Sequence, residues 1–183
     1  KVPLRIVTTA SADVPLKGLD FLLKAFASVK DIHSNASLQI IGGSKKGGHT
    51  KRLIKKLGIE KDITFNKKLS FKEVRDLYCS ADIVVIPSLY EGFGFAVGEA
   101  MACKVPVITT SEGAIPEVIK DCGIIVEPGK SKELEKAILA LLPNEELKKS
   151  LAEKGFQRIR KDLQWNEVAI RATEIYEAEI EKW

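Results

Sequence analysis

The sequence has few residues of the kinds that cross-link a chain or bind a metal ion. Among its 183 residues are three cysteines, Cys79, Cys103 and Cys122, and two histidines, His33 and His49. Because the cysteines are odd in number and widely spaced, they offer neither a disulfide framework nor the paired spacing of a zinc site. We therefore expect buried, reduced thiols in a cytosolic protein, and no metal site. The histidines lie in polar segments and are interpreted as surface residues.

Long apolar runs are also absent. No run approaches the roughly 18 residues that a membrane-spanning helix needs. The stretch KVPLRIVTTA, at the start of the sequence, is too short and too polar for a signal peptide. We therefore expect a cytoplasmic protein, with the inner face of the membrane as the alternative location.

No strong excess of one charge is present either. The sequence has 29 basic and 25 acidic residues and a net charge of +4, a balance that does not favour nucleic acid as a partner. The basic stretch SKKGGHTKRLIKK (44–56) is typical of a solvated helix face. The alternative is contact with phosphate, or peripheral contact with an anionic membrane surface in a longer protein.

Short apolar runs alternate with amphipathic segments along the chain. The runs predict strands over 4–10, 37–43, 63–66, 81–88, 105–110 and 123–128. The amphipathic segments predict helices over 18–30, 50–58, 70–78, 95–101, 115–120, 131–142, 145–160 and 165–182. This alternation implies an α/β fold: a doubly wound, Rossmann-like parallel sheet of about six strands with helices on both faces.

Two predicted helices carry further signals. Ser70 and Glu73 form an S-x-x-E capping box, which marks the start of the helix over 70–78. The last helix has apolar residues at helical spacing and is expected to pack on a core, in this chain or in a neighbouring domain. That stripe consists of Trp165, Val168, Ala169, Ala172, Ile175 and Tyr176.

The loop after the fourth predicted strand has the chemistry of a binding site, since ligands of doubly wound sheets bind at the carboxyl ends of the strands. In SLYEGFGF, Gly92 and Gly94 let the backbone approach a ligand closely. The helix that begins near Phe95 points N–H groups and its positive dipole end at the loop, which suits an anionic group. The carboxylates of Glu91 and Glu99 suit vicinal hydroxyls. A sugar nucleotide combines both features.

Two other interpretations of this loop stay open. The string GFGFAVG, with Glu112 further along, is similar to a dinucleotide-binding fingerprint. That fingerprint, however, has its glycines directly after the first strand of the sheet, which is not the case here. In the other interpretation, the glycines only form a tight turn between strand and helix, and Glu91 is a solvated loop acid.

Several separated motifs resemble one family. EGFGFAVGE has the Glu-x7-Glu spacing of the retaining glycosyltransferases of family 4, which have the GT-B fold. The run ADIVVIPSLYEGFGFAVGEAMACKVPVITTSEGAIPEVI, together with LKGLDFLLKAFASV, GIIVEPGKSKELEKAI and LQWNEVA, is similar to that family in the same order. The resemblance covers nearly the whole chain. It identifies residues 1–183 as the C-terminal, donor-binding domain of such an enzyme.

The resemblance implies an activity and a set of partners. The reaction is retaining transfer of a hexose from a nucleoside diphosphate to an acceptor hydroxyl, with no metal and no other cofactor. The acceptor is held mostly by an N-terminal domain of the same enzyme. We therefore expect this chain to bind nucleotide or nucleotide sugar weakly and to transfer nothing by itself. The alternatives are a non-catalytic binding module of the same fold and a GT-B-like sugar-nucleotide epimerase.

The resemblance also implies roles for single residues. Lys17 and Glu91 are the catalytic candidates, with Lys17 on the diphosphate and Glu91 on a hydroxyl of the donor sugar. Glu99 is expected to bind the ribose hydroxyls. Backbone amides of the loop are expected to bind sugar oxygens and the diphosphate; they belong to Gly92, Phe93, Gly94, Phe95 and Ala96.

One expected binding residue departs from the family pattern. Ser11 stands where the family commonly has an arginine that pairs with the diphosphate. A serine hydroxyl can hydrogen-bond a phosphate but carries no charge. Loss of one charge-assisted contact costs on the order of 1.5–3 kcal/mol of binding free energy.

Overall fold

The computed structural model describes residues 4–10, 14–180 and 182, and its centre is a six-stranded sheet. All neighbouring strands are parallel, in the order β3-β2-β1-β4-β5-β6. The strands are β1 (Leu4–Thr9), β2 (Ala36–Ile41), β3 (Ile63–Asn66), β4 (Ile83–Ile86), β5 (Val107–Thr110) and β6 (Ile124–Val126). Every residue of β4 and β5 is buried, as expected for parallel strands covered on both faces.

The helices lie on both faces of the sheet, so the predicted doubly wound fold is confirmed. They are α1 (Leu19–Ile32), α2 (His49–Leu57), α3 (Phe71–Cys79), α4 (Phe95–Ala102), α5 (Ile115–Ile119), α6 (Ser131–Leu141), α7 (Glu145–Asp162) and α8 (Trp165–Ile180). Side chains of successive strand residues point to opposite faces. Accordingly, Ile6 packs in one core with α1 and α6, while Val7 packs in a second core with α4 and α5. The predicted capping box of Ser70 and Glu73 is present at the start of α3.

The strand order places a crevice beside β1 and β4. Chain connections run outward in one direction from β1 and in the other from β4, so the loops that leave their carboxyl ends diverge. The two loops contact each other at the base of this crevice, where the Leu89 N–H donates to the Leu16 carbonyl at 2.8 Å. The loops that follow β1 and β4 are therefore neighbours.

The last two helices differ in how they pack. α7 joins the two cores, because Leu151 belongs to the first and Ile159 packs against the second. The predicted helix at the end is present as α8, but it contributes no buried residue, and Trp165 is 73% exposed. Its apolar stripe therefore does not join a core within the described residues. Among all the residues that the structure describes, no helix is long and apolar enough to cross a bilayer.

The cysteine prediction is wrong at one position. Cys122 is buried and Cys103 is partly buried, but Cys79 is exposed, and all three are free thiols. Cys79 ends α3, and the preceding residue, Tyr78, takes the interior position instead. Adjacent helix residues point about 100° apart, so both cannot face the core.

Candidate functional site

Two glycines allow the loops after β1 and β5 to contact the loop that follows β4. Gly18 ends a 3-10 turn over Pro15–Lys17 with φ +63°, and a Cβ on it would lie 1.8 Å from the Pro87 carbonyl oxygen. Gly113 has φ +58°, and a Cβ on it would lie 1.9 Å from the Glu91 carbonyl oxygen. No other residue fits at either place without moving the backbone. The loop after β4 is therefore held from both sides.

This assembly joins the two catalytic candidates as an ion pair. Lys17 Nζ donates to Glu91 Oε2 at 3.0 Å, and Ser88 Oγ donates to the same oxygen at 3.4 Å. The nearby backbone N–H groups of Gly94 and Phe93 act to lower the pKa of the same carboxyl group. Burial acts to raise the pKa of Glu91, but Lys17 and the two amides outweigh it and hold the pKa below its usual value.

The groups around Glu91 form an anion site that an internal carboxylate occupies. An ammonium pairs with that carboxylate and two amides lie near it, directly before the N-terminus of α4. Gly94 caps this helix in the left-handed conformation, with φ +86°, and its carbonyl accepts from the N–H groups of Val97 and Gly98. The positive end of the α4 dipole adds to the preference for an anion. A phosphate group has the charge and the acceptor oxygens to replace Glu91 here.

The second predicted acid lies in different surroundings. Glu99 stands in the second turn of α4, and the partial burial of its carboxyl group raises its pKa, while a hydrogen bond from Tyr78 acts to lower it. The Tyr78 ring is buried in the second core, and its hydroxyl lies 2.5 Å from Thr9 Oγ1. Thr9 and Glu99 line a cavity of about 360 Å³, together with Ile41, Leu69, Ser70, Phe71 and Val74.

The structure groups most of the predicted site residues around the anion site. Brought into contact are Lys17 and Glu91, with Phe93 and Gly94 close by. The loop and the first turn of α4 hold Gly92, Phe95 and Ala96. Glu99 is not in contact with Glu91 and lies beside Tyr78 instead. Ser11 lies outside the described residues.

An apolar wall borders the α4 end of the site. The rings of Phe93 and Phe95 are stacked with centroids 4.2 Å apart, and both are more than half exposed, at 55% and 58%. They line a second cavity of about 360 Å³, with Glu99 at its edge and apolar side chains of α7 and α8 opposite. Glu99 therefore borders two cavities, one on each side.

The sequence patterns did not reveal several residues that shape the site. Ser88 donates to Glu91, and its own carbonyl accepts from Thr110 Oγ1 at 2.6 Å. Near the second acid, Tyr78 acts to lower the pKa of Glu99, and the Tyr78 hydroxyl contacts Thr9 Oγ1. A usable signal exists for three of them, because Thr9, Ser88 and Thr110 are hydroxyl residues at the carboxyl ends of buried strands.

No group of three or more His, Cys, Asp or Glu that could hold a metal ion occurs among residues 4–10, 14–180 and 182. The cation that faces the anion site is the Lys17 ammonium. Independence from a metal stays a prediction.

Comparison with known proteins gives consistent matches along the chain. The family model described as "Glycosyl transferases group 1" matches residues 3–158. The "MMP alpha-(1->4)-mannosyltransferase" of Mycolicibacterium hassiacum is 36% identical over 183 residues, which are 98% of this chain and 44% of that protein. The "GDP-mannose-dependent monoacylated alpha-(1-6)-phosphatidylinositol monomannoside mannosyltransferase" of Corynebacterium glutamicum is 26% identical over 182 residues, 95% of this chain and 47% of that protein.

A solved structure matches the fold over nearly its full length. It is the C-terminal domain of a group 1 glycosyl transferase (LpcC) from Francisella tularensis, with a TM-score of 0.79 and 27% identity over 90% of this chain and 89% of that one. The predicted fold, that of a C-terminal GT-B domain, is thereby confirmed. The chain spans less than half the length of the two curated relatives. Since the family model covers most of the sequence, the chain belongs to the group 1 glycosyl transferases.

Proposed function

We propose that this chain binds the nucleoside diphosphate sugar donor of a retaining glycosyltransferase, with Lys17 and Glu91 at the bond that is broken. The observation that carries the proposal is the ion pair between the Lys17 ammonium and the Glu91 carboxylate, directly before the N-terminus of α4. This anion site lies at the crevice where the strand order reverses, which is where doubly wound sheets bind nucleotides.

The donor diphosphate would replace the Glu91 carboxylate at Lys17. The bond between the anomeric carbon and the diphosphate oxygen breaks, and its electron pair stays on the diphosphate. A fixed ammonium and the N-terminus of α4 stabilise that developing charge. Glu91, released from Lys17, would accept hydrogen bonds from a hydroxyl of the sugar. The acceptor oxygen then bonds to the anomeric carbon, and its proton passes to an oxygen of the departing diphosphate.

The nucleoside would occupy the cavity that Thr9 and Glu99 line. Glu99 at its edge has two oxygens that can accept the vicinal ribose hydroxyls. The other wall of this cavity has Leu69 in the loop after β3 and Phe71 at the start of α3, and the nucleobase would lie against it. Donor sugar and ribose would then be held by different acids, Glu91 and Glu99.

The length comparison bears on the acceptor. This chain corresponds to less than half of each curated relative, so we propose that the acceptor is held by another part of a longer protein. The name of the Corynebacterium glutamicum relative states dependence on GDP-mannose, which supports a nucleoside diphosphate hexose as the donor class. The chain by itself would bind donor and transfer nothing.

Titration calorimetry with UDP, GDP, UDP-glucose and GDP-mannose tests this proposal. We expect binding at millimolar ligand or below, and Lys17→Ala should weaken it by on the order of tenfold to a hundredfold, because one charge-assisted contact is lost. Lys149→Ala is the matched control, since Lys149 is an exposed lysine of α7. A folded wild-type chain that binds none of the four ligands would favour the non-catalytic module. Equal binding by Lys17→Ala would remove Lys17 from the diphosphate site.

A further inference from the structure

Two of the three thiols lie together where α3 and α4 end. Cys79 is the last residue of α3, and Cys103 directly follows α4 as its cap. The Cys79 Sγ lies 4.0 Å from the Cys103 carbonyl oxygen. The Cys103 Sγ lies 3.9 Å from the carbonyl oxygen of Arg75, one turn before Cys79 in α3. Each sulfur is therefore packed against the backbone of the other cysteine's segment.

These distances bring the two sulfurs within reach of each other. A carbonyl oxygen lies roughly 2.4 Å from the Cα of its own residue, so the Cys79 Sγ is within roughly 6.5 Å of the Cys103 Cα. A cysteine sulfur moves by roughly 3 Å between side-chain rotamers. Both thiols contact only carbonyl oxygens at about 4 Å, and a thiol is a weak donor. Little free energy is therefore lost when the sulfurs turn towards each other.

The three cysteines differ in their access to solvent. Cys79 is exposed, Cys103 is partly buried, and Cys122 is buried, with 5% of its surface exposed. Burial raises the pKa of Cys103 to about 12, so this thiol is protonated at neutral pH. Because oxidation of a thiol follows its exposure and its thiolate character, Cys79 should react first. An accessible thiol beside a shielded one is the arrangement of a redox-sensing cysteine and its resolving partner.

We propose that Cys79 and Cys103 form a redox-active dithiol, which hydrogen peroxide converts into a disulfide between α3 and α4. The Cys79 sulfur attacks one peroxide oxygen and the O–O bond breaks, which gives a sulfenic acid and water. The Cys103 sulfur then bonds to the Cys79 sulfur, and the hydroxyl leaves with the Cys103 proton as a second water. Two thiols are oxidised and one peroxide is reduced. The modification needs no nucleotide, so it is independent of the proposed function.

The disulfide would close the part of the chain that holds β4, the Glu91 loop and α4. Such a closure restricts the unfolded chain and thereby stabilises the folded one. The oxidised chain should melt on the order of 5 °C above the reduced chain. Dithiothreitol reverses the bond by thiol–disulfide exchange, and the melting temperature should then return to that of the reduced chain.

The test is mass spectrometry of the folded chain after treatment with peroxide and alkylation of the remaining thiols. Because trypsin cleaves after lysine and arginine, Cys79 and Cys103 stay in one peptide, 76–104, while Cys122 is in another, 121–130. We expect peptide 76–104 to lose two hydrogens and to escape alkylation until dithiothreitol is added. Peptide 121–130 should remain a free thiol and be alkylated once the chain is unfolded.

Single substitutions separate the roles of the three thiols. In Cys103→Ser, the Cys79 sulfenic acid has no resolving partner, so peptide 76–104 should gain oxygen atoms up to the sulfinic acid instead of losing hydrogens. In Cys79→Ser, peptide 76–104 should be oxidised at least tenfold more slowly, because the accessible thiol is gone. Cys122→Ala is the matched control and should form the disulfide at the wild-type rate.

The same treatment in urea shows whether the fold selects the pair. Once the chain is unfolded, Cys122 should compete, and disulfides of more than one pairing should appear. A folded wild type that gives the same mixture of pairings would overturn the proposal. So would sulfinic acid at Cys79 of the wild type in place of the disulfide, chains joined to each other through Cys79, or an oxidised chain that melts below the reduced one. Binding of UDP or GDP by the reduced chain, and its loss in Lys17→Ala, would still support the proposed function in each of these cases.

Discussion

Two glutamates of one short segment show how different surroundings give identical side chains different pKa values. Glu91 and Glu99 are separated by a loop and one helical turn, yet their pKa values move in opposite directions. Lys17 and two backbone amides lower the pKa of Glu91 against the effect of its burial. Burial raises the pKa of Glu99, and the Tyr78 hydroxyl only opposes that effect.

The difference follows from position along α4. Glu91 precedes the helix, where unpaired N–H groups, the dipole and a nearby cation all favour negative charge. Glu99 is in the second turn, beyond the region where the dipole acts strongly, and its support comes from neutral hydroxyls. The first acid is thus suited to exchange with a diphosphate, whereas the second is suited to receive neutral hydroxyl groups.

The largest effect on this comparison should come from moving the loop that holds Glu91. Gly113→Ala would place a methyl group 1.9 Å from the Glu91 carbonyl oxygen, at a residue with φ +58°. The backbone of the loop has to shift, and a displacement of about 1 Å at a site of this kind costs about a hundredfold in function. Calorimetry with UDP and GDP should therefore show binding weakened by about that factor.

Gly58→Ala is the control for this substitution. Gly58 also has a positive φ, +69°, but a Cβ on it meets no atom within 4 Å, and it follows α2 rather than the loop after β4. We expect wild-type binding in Gly58→Ala. Wild-type affinity in a folded Gly113→Ala chain would contradict the placement of Glu91 by the loop after β5.

A smaller effect should come from emptying the anion site. In Glu91→Gln, Lys17 and the two amides no longer hold an internal anion, so the diphosphate need not displace one. In the wild type, the Lys17–Glu91 ion pair competes with the diphosphate and so reduces the apparent affinity. We therefore expect UDP and GDP to bind roughly threefold to tenfold more tightly to the variant. UDP-glucose and GDP-mannose should gain less, because the contact of Glu91 with the sugar is weakened.

Calorimetry gives the ratio of the affinity for the nucleotide, UDP or GDP, to the affinity for its nucleotide sugar. This ratio reports on both roles of Glu91. Glu117→Gln, at an exposed glutamate of α5, should leave the ratio unchanged. Weaker binding of UDP and GDP by Glu91→Gln would mean that the carboxylate assists the diphosphate instead of competing with it.

The fold could be predicted from the sequence because parallel strands buried on both faces are continuous apolar runs. IVVI of β4 is such a run, and the other four residues of the strand predicted over 81–88 belong to turns and loops in the structure. The capping box at Ser70 could be predicted because it is local. α8 was predicted as a helix, but its exposure was not, since apolar spacing shows that a face needs covering without showing what covers it.

The site was predictable only in part. The loop glycines and the two acids are visible as a motif, and the resemblance joins Lys17 to them across 74 residues. Nothing local indicates that Lys17 pairs with Glu91 in the free chain, because the pair depends on the close approach of Gly18 to Pro87. The contact of Tyr78 with Thr9 spans 69 residues, and such contacts are fixed by strand order. Cys79 was wrongly predicted to be buried for the same reason, since contacts between distant segments determine which residue of α3 faces the core.

The smallest expected effect compares the two acids through stability and pH. Glu91 has a folded pKa below the ordinary 4.5, so it stabilises the fold above about pH 4.5, and this contribution is lost as pH falls through the folded pKa. Glu99 has a folded pKa above 4.5, so its ionised form destabilises the fold at pH 7, and this penalty is gone once pH falls below about 4.5.

Replacing each acid by glutamine should therefore change stability in opposite directions. At pH 7, Glu91→Gln should lower the melting temperature because Lys17 loses its partner, and Glu99→Gln should raise it slightly because the partly buried amide carries no charge. Exposure of Glu99 to solvent keeps its effect below the ~2–4 °C that 1 kcal/mol produces in a chain of this size. Both differences should shrink on acidification, that of Glu99 once pH falls below about 4.5 and that of Glu91 as pH falls further, through its lowered folded pKa. Thermal unfolding monitored by circular dichroism between pH 3.5 and 7.5 measures this directly, and shifts of the same sign at pH 7 would show that the two carboxylates do not differ as their partners indicate.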